Sequence, residues 1–332
     1  MRKYLLVYPN RDYGKLMWRD LKELDNVEFV DKPLSVNNIL VDFLFRIHFS
    51  FKVNMKIELP LKRFWEKYYS LNHYDFNQED EYVVLFTDPS LCNYRKRFLE
   101  KLKTKSNVNM VLVLINSFYR MRRIVEPMLE CFDLIYTYDK RESETFGFSY
   151  YPTVYSMINI GNVEIVKHKC FFVGVAKDRL EKLIWVYDKL ELCGCSPVFY
   201  ISGVPKRMQK RRKGIVYNTW LPYKSVLKEV LSSEYIVEIM DKNNAGVTLR
   251  TLESICYNKK LITDNEKILE SPFYRKDSVY LINPEVGTFN VFIGCDNKID
   301  YGYDGRYSPI NFVERLNNDI STGIERKLIN TN

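Results

Sequence analysis

Histidine is scarce in this chain. His48, His73 and His168 are the only ones in 332 residues, and none stands beside the single Cys-x-Cys at Cys193 and Cys195. A zinc-type cluster with regular ligand spacing is therefore excluded as an organising feature. The seven cysteines, Cys92, Cys131, Cys170, Cys193, Cys195, Cys256 and Cys295, are an odd number set mostly in apolar runs. That is poor material for a disulfide framework and fits reduced thiols in a cytoplasmic protein. No apolar run reaches the eighteen or so residues of a membrane span. The start, Met1-Arg2-Lys3, leads straight into a short strand and a polar turn, with no signal-peptide pattern. Internal repeats, low-complexity tracts and helix-turn-helix, zinc or RNP-like signatures are also missing, and the basic residues are spread among acids. These absences speak against a dedicated nucleic-acid module.

What the chain does contain is alternation. With 46% hydrophobic and 28% charged residues it reads as globular, and its length favours two domains. Apolar β-like runs at 3–8, 27–30, 82–87, 110–115 and 134–138 are separated by helical spacing, notably over 91–102 and 118–129. The alternation stops at 147–169, where turn residues dominate. It resumes with strands expected at 170–175, 197–201, 214–217, 235–240, 260–263 and 278–282. Two βα series in succession predict an α/β protein of two Rossmann-like, doubly wound parallel-sheet domains facing across a cleft. The expected boundaries are 1–150 for the first domain, 151–169 for a crossover, 170–305 for the second domain and 306–332 for a terminal helix and tail. Ser308-Pro309 supplies the cap and first-turn proline of that helix. A net charge of +8 and 15% aromatic residues suit an enzyme working on an anionic substrate or at anionic lipid, and would suit nucleic acid as well.

The most specific stretch runs from Ser233 to Asp264. It reads as a strand (S-E-Y-I-V-E-I-M), a glycine-containing turn, a helix opening near Val247 (G-V-T-L-R-T-L-E) and a second strand (K-K-L-I-T-D). Such a βαβ unit places helix N-terminal amides beside the carboxyl end of a strand, an anion site. Arg250 and Glu253, three apart, share a helix face, where the arginine can clamp a phosphate and the glutamate can accept from ribose hydroxyls.

This segment resembles the donor-nucleotide segment of bacterial GT-B glycosyltransferases of capsule and lipopolysaccharide assembly. The likeness extends to the aspartate-led helix, aromatic-Gly-aromatic turn and Tyr-Pro cluster in Y-T-Y-D-K-R-E-S-E-T-F-G-F-S-Y-Y-P, and so covers about 136–264; residues 1–130 match only in pattern. The resemblance implies transfer of a sugar from a nucleotide-sugar donor to a glycan or lipid-linked acceptor. It implies a donor site in the second domain built from Gly174, Lys177 and Arg179 in C-F-F-V-G-V-A-K-D-R, Gly203 in I-S-G-V-P, Tyr217 in G-I-V-Y-N, then Glu238, Gly246, Val247, Thr248, Leu249, Arg250 and Glu253. From the residues alone Lys177 and Arg179 equally read as a solvated helix face, and Tyr217 as a packed ring. Many retaining GT-B members carry a second acid eight positions before the one matched by Glu253. Here that position is Ala245, and the nearest substitute is Glu238.

The acceptor and a catalytic base are expected in the first domain. Asp88, in V-V-L-F-T-D-P-S, emerges where open α/β sheets place functional groups, although Asp-Pro before a helix also reads as an N-cap. Asp12, in P-N-R-D-Y-G-K, is the second candidate. No Asp-x-Asp occurs anywhere, so the carboxylate pair with which GT-A enzymes hold a divalent ion is absent. A metal-independent design without cofactor follows, with cations such as Arg250 and Lys177 facing the leaving diphosphate. The basic-aromatic stretch 37–69 and the run 206–213 either contact anionic lipid at the inner face of the membrane or are a core-facing helix and a solvated loop. The expected partners are thus a nucleotide sugar, a saccharide acceptor and anionic membrane, with no nucleic acid. A non-catalytic two-lobed sugar or nucleotide binder and a nucleic-acid-binding protein remain as alternatives.

Overall fold

The computed structural model describes residues 1–7, 12–54, 57, 59–242, 246–282 and 289–323. The chain forms two units, Met1–Ser156 with the segment from Tyr307 onward, and Met157–Arg306.

In the first unit the strands are β1 (Arg2–Val7), β2 (Val27–Val30), β3 (Glu81–Thr87), β4 (Val108–Leu114), β5 (Leu134–Thr137) and β6 (Ser149–Tyr150). All their pairings are parallel, in the order β2-β1-β3-β4-β5-β6. The central strands β3 and β4 are apolar on both faces and almost wholly buried, as a parallel sheet covered by helices requires. The connecting helices are α1 (Asp12–Met17), α2 (Ile39–His48), α3 (Phe51–Asn54), α4 (Asp88–Leu91), α5 (Lys96–Lys103), α6 (Phe118–Val125) and α7 (Lys140–Phe146). Two of the expected helices are cut short. The 91–102 pattern divides into α4 and α5 around Cys92–Arg95, and the 118–129 pattern passes into a 3-10 segment, Glu126–Cys131, where Pro127 cannot continue the α-helical hydrogen bonding.

The second unit contains β7 (Val166–Val175), β8 (Ser196–Ser202), β9 (Ile215–Tyr217), β10 (Ser233–Glu238), β11 (Lys260–Thr263) and β12 (Val279–Leu281), again all parallel, in the order β12-β11-β10-β7-β8-β9. Its helices are α8 (Leu180–Leu192), α9 (Tyr223–Ser232), α10 (Leu249–Cys256) and α11 (Phe289–Ile293). The last described helix, α12 (Pro309–Ser321), belongs to the first unit. Ser308 caps it by accepting from the Ile310 amide at 3.4 Å and donates to Asp20 at 2.7 Å. Phe312 packs edge-on to Trp18, Tyr136 and Tyr151, and Asp319 accepts from the Tyr136 hydroxyl at 2.6 Å.

Strand order locates the ligand-binding ends of both sheets. Where successive crossovers turn in opposite directions, the loops at the strand carboxyl ends part and leave a crevice. That reversal falls between β1 and β3 in the first unit and between β7 and β10 in the second. Among the described residues no helix is long and apolar enough to cross a membrane.

Candidate functional site

The β7/β10 reversal brings together residues more than sixty positions apart in sequence. β7 ends in Gly174-Val175, and the following turn passes through Lys177, whose φ of 48° is left-handed. Its ammonium group pairs with Asp241, which follows β10. Arg179 is only partly exposed and donates to the carbonyls of Ile239 and, at 3.1 Å, of Val175, so it ties the ends of β7 and β10 together. It also lies over the Phe172 ring at 5.6 Å, and burial lowers its pKa. Gly174 makes room for this arrangement: a Cβ there would meet the Arg179 guanidinium and the Phe172 ring at 3.1 Å each. The solvated-face reading therefore does not describe Arg179, which serves as a backbone tie.

Glu238, the last residue of β10, is buried and gathers three threonine hydroxyls. Its Oε1 accepts from Thr248 and, at 2.7 Å, from Thr251, while Oε2 accepts from Thr263 at 2.6 Å. Thr248 is the N-cap of α10, accepting from the Arg250 amide at 3.1 Å while it donates to Glu238. One carboxylate thereby fixes the start of α10 against the ends of β10 and β11, and Leu249 is the first helical residue. Gly246 is buried, and its carbonyl accepts from Asn265 Nδ2 at 3.3 Å. Val247 leads from it into the cap. Ala245 lies outside the described residues.

Arg250 and Glu253 do share a face, and they meet each other. Arg250 Nη2 donates to Glu253 Oε1 at 2.7 Å and Nη1 lies 2.6 Å from Oε2. The Tyr223 hydroxyl, from α9, donates to Oε1 at 2.8 Å. Glu253 is fully buried, and desolvation lifts its pKa to about 7 despite the arginine beside it.

Two further donor-site candidates sit around β8 and β9. Gly203 follows β8 at φ +76°, a conformation that favours glycine. The Tyr217 hydroxyl accepts from the Lys210 amide at 3.2 Å and donates to the Lys210 carbonyl at 3.0 Å. Tyr217 thus fastens the basic run 206–213, within which Lys210 pairs with Glu181 and Arg212 with Asp188.

Several participants were not singled out from the sequence. Asp241 carries the partner of Lys177. Asp264 accepts from the Met240 amide and pairs with Lys182, at 2.7 and 2.6 Å. Asn218, at φ 56°, accepts from the Val204 amide and donates to its carbonyl, closing the ends of β8 and β9. The available signal was polar residues following strand ends, and nothing local distinguished these from ordinary turn residues.

In the first unit Asp88 sits at the corresponding reversal, fully buried. It is not the N-cap of α4: Thr87 holds that position, its amide donating to Ser90 Oγ at 3.0 Å. Asp88 is the first helical residue, and its carboxylate reaches across to the loop after β4. It accepts from the Ile115 amide at 2.7 Å, the Asn116 amide at 3.3 Å and Asn116 Nδ2 at 2.7 Å. Burial still outweighs these donors and raises its pKa to about 6. Asp12 opens α1 after β1, and its side chain lies outside the described residues. Among the described residues no group of three or more His, Cys, Asp or Glu is placed to hold a metal ion.

No protein-family model and no curated protein matches the sequence. Solved structures do match the fold. An alpha-glucosyltransferase in complex with UDP and a 13-mer DNA containing a HMU base superposes with a TM-score of 0.61 at 12% identity, covering 97% of this chain and 99% of that one. Sucrose-phosphate synthase from Thermosynechococcus elongatus gives a TM-score of 0.54 at 9% identity, with the same coverages. The two parallel six-stranded sheets and these neighbours place the chain in the GT-B fold class.

Proposed function

We propose that the chain is a metal-independent glycosyltransferase that moves a sugar from a nucleotide-sugar donor, bound by the second unit, to a glycan or lipid-linked saccharide in bacterial capsule or lipopolysaccharide assembly. The observation that carries this reading is the convergence of Lys177, Glu238, Arg250 and Glu253 around the β7 and β10 ends and the α10 start, within a GT-B fold. In this reading the α10 amides and the two cations face the diphosphate, whose developing charge they stabilise as it leaves. Binding draws Arg250 from Glu253 toward phosphate, and Glu253 accepts from the ribose. Gly203 and Tyr217 border the base, and Gly174 and Arg179 keep the floor of the crevice in place. The acceptor meets the first unit, where Asp88 and Asp12 are the proposed carboxylates for taking its proton.

Calorimetric titration with UDP, GDP and CMP tests the donor site. One of them should bind, and Arg250→Ala should weaken that binding about tenfold or more through loss of a charge-assisted bond. Absence of binding, or unchanged affinity in a variant whose circular dichroism shows it folded, overturns the assignment. Transfer should persist in excess chelator, and loss restored by manganese or magnesium would reject the metal-independent design.

The net charge of +8 and the fold shared with an enzyme solved on DNA favour a second reading, with nucleic acid as acceptor. Label from the nucleotide sugar recovered in DNA, and not in lipid-extractable glycan, would select it.

A further inference from the structure

Helix α2 is apolar on both sides. Phe45, its one fully buried side chain, packs on Phe49 and Trp65 with ring centroids 4.6 and 5.3 Å away, and His48 Nδ1 accepts from Trp65 Nε1 at 2.8 Å. This inward face anchors the helix to the first unit. Ile39, Leu40, Phe43, Leu44 and Ile47 lie on the other side, and each is between 42% and 88% exposed. Their spacing puts all five on one continuous arc of a helix. Half of a ten-residue helix is thus large aliphatic or aromatic surface turned to water, whereas isolated apolar residues are the ordinary condition of a protein surface. Asn38 caps the helix through the Leu40 and Val41 amides at 2.9 and 3.3 Å, so the exposed arc belongs to a well-terminated helix and not to a fraying end.

Charge identifies what covers this arc. The stretch 37–69 carries six basic residues, Arg46, Lys52, Lys56, Lys62, Arg63 and Lys67, against Asp42, Glu58 and Glu66, a net of +3. Arg46 adjoins the apolar arc on α2 but pairs with Asp42 at 2.6 Å, so the cations left to headgroups are those that follow the helix. Arg63 is exposed above the ring of Phe64, itself 55% exposed, with its guanidinium carbon 5.3 Å from the ring centroid. Lys67 lies in the same way 4.7 Å from the Tyr68 centroid. Cations standing on aromatic rings, in the segment whose Trp65 packs under α2 against Phe45, together with the bare aliphatic side chains of the helix suit an interface in which the apolar groups enter the acyl boundary and the charges stay among anionic headgroups. A second copy of this chain would bring the same excess of positive charge against itself in a two-fold contact, which disfavours it as the occupant.

We propose that the outer face of α2 docks the chain on an anionic bilayer surface, with Phe43 and Leu44 at the centre of the inserted patch and Arg63 and Lys67 on headgroup phosphates. This surface is independent of the donor chemistry, and its test needs no activity. The full chain is sedimented with vesicles of phosphatidylglycerol and phosphatidylcholine and with vesicles of phosphatidylcholine alone. It should pellet with the anionic vesicles, less so as salt is raised, and poorly with the neutral ones. Phe43→Ser combined with Leu44→Ser changes only exposed positions, so the melting temperature should hold while vesicle binding falls about tenfold or more. Arg63→Ala with Lys67→Ala should weaken binding at low salt and flatten its salt dependence. The proposal is overturned by failure to pellet with anionic vesicles, by equal binding to neutral ones, or by serine variants that bind as well as the parent. It is also overturned if the chain is a dimer in solution that the serine changes dissociate, because the face would then belong to a second copy.

Discussion

The two units reverse strand order at equivalent places and furnish those places differently. At β7/β10 the strand ends carry ion pairs and ties between elements: Lys177 with Asp241, Arg179 on two carbonyls, and Glu238 holding the α10 cap. At β1/β3 one buried carboxylate, Asp88, turns sideways and is saturated by the loop after β4. Topology therefore fixes where a crevice lies, and the side chains decide which neighbouring elements are tied across it. The diphosphate of the proposed donor would meet the first arrangement, in which Lys177 is exposed. For Asp88 to take an acceptor's proton, as proposed, its bonds to Ile115 and Asn116 have to open, because the carboxylate is fully buried.

The comparison breaks most visibly if Glu238 is not the organising group of its unit. Glu238→Ala leaves the hydroxyls of Thr248, Thr251 and Thr263 without their acceptor in a buried place, and should cost about 3–5 kcal/mol of unfolding free energy. It should also abolish nucleotide binding, since the α10 start loses its anchor. Urea denaturation and calorimetry read the two effects, and a variant that keeps both would show the cluster to be incidental.

Asp88→Asn asks the same of the first unit. The amide still accepts one backbone hydrogen bond but presents a donor toward Asn116, so stability should fall by about 1–3 kcal/mol. If Asp88 also takes the acceptor proton, turnover should drop about 10²–10⁴-fold. Lost stability with near-normal turnover would leave Asp88 a tie between loops and pass the base to Asp12.

The same contrast explains what could be read beforehand. Strand positions were legible because a parallel sheet buried on both faces needs uninterrupted apolar runs such as Y-V-V-L-F-T, found in β3. Helix ends were less so: Cys92–Arg95 looks helical by spacing yet separates α4 from α5. In the candidate site, the identity of Glu238 as a strand-end carboxylate was visible, but its three threonine partners come from a helix cap, a helix turn and a neighbouring strand. Pairing at that range is a property of the sheet order. For the same reason Arg179 looked like a surface cation and Tyr217 like a stacking or packing ring, until the strands beside them were placed.

Titration sharpens the comparison, because burial raises the pKa of Glu253 in the second unit and of Asp88 and Glu142 in the first. Glu253 moves from an ordinary 4.5 to about 7, and Asp88 from 3.8 to about 6. A group whose folded pKa exceeds its unfolded one binds more protons when folded. Its contribution to stability is therefore complete below the unfolded value and is lost as pH rises through the folded one. Stability from these two groups should decline between about pH 4 and 7 and level off above that. Glu253→Gln should flatten the upper part of the decline and Asp88→Asn the lower part. Melting temperatures across this range at constant ionic strength separate them, and a variant whose pH profile keeps the parent's shape would contradict the assignment of its group.

The smallest effect concerns the basic run beside β9 in the second unit. Tyr217→Phe keeps the ring and removes only the hydroxyl that bridges the Lys210 amide and carbonyl. Both backbone groups lie on an exposed run and regain water, so global stability should fall by no more than about 1 kcal/mol. Local order should respond more, because the run 206–213 loses its fastening to β9 while the pairs Lys210–Glu181 and Arg212–Asp188 are left to hold it. Hydrogen exchange should quicken at Lys210 and its neighbours and stay unchanged in α8. If the ring instead stacks on the base of a bound nucleotide, Tyr217→Phe should bind that nucleotide as the parent does, and Tyr217→Ala should lose about 1–3 kcal/mol of binding. Equal nucleotide affinity in both variants would confine Tyr217 to the loop.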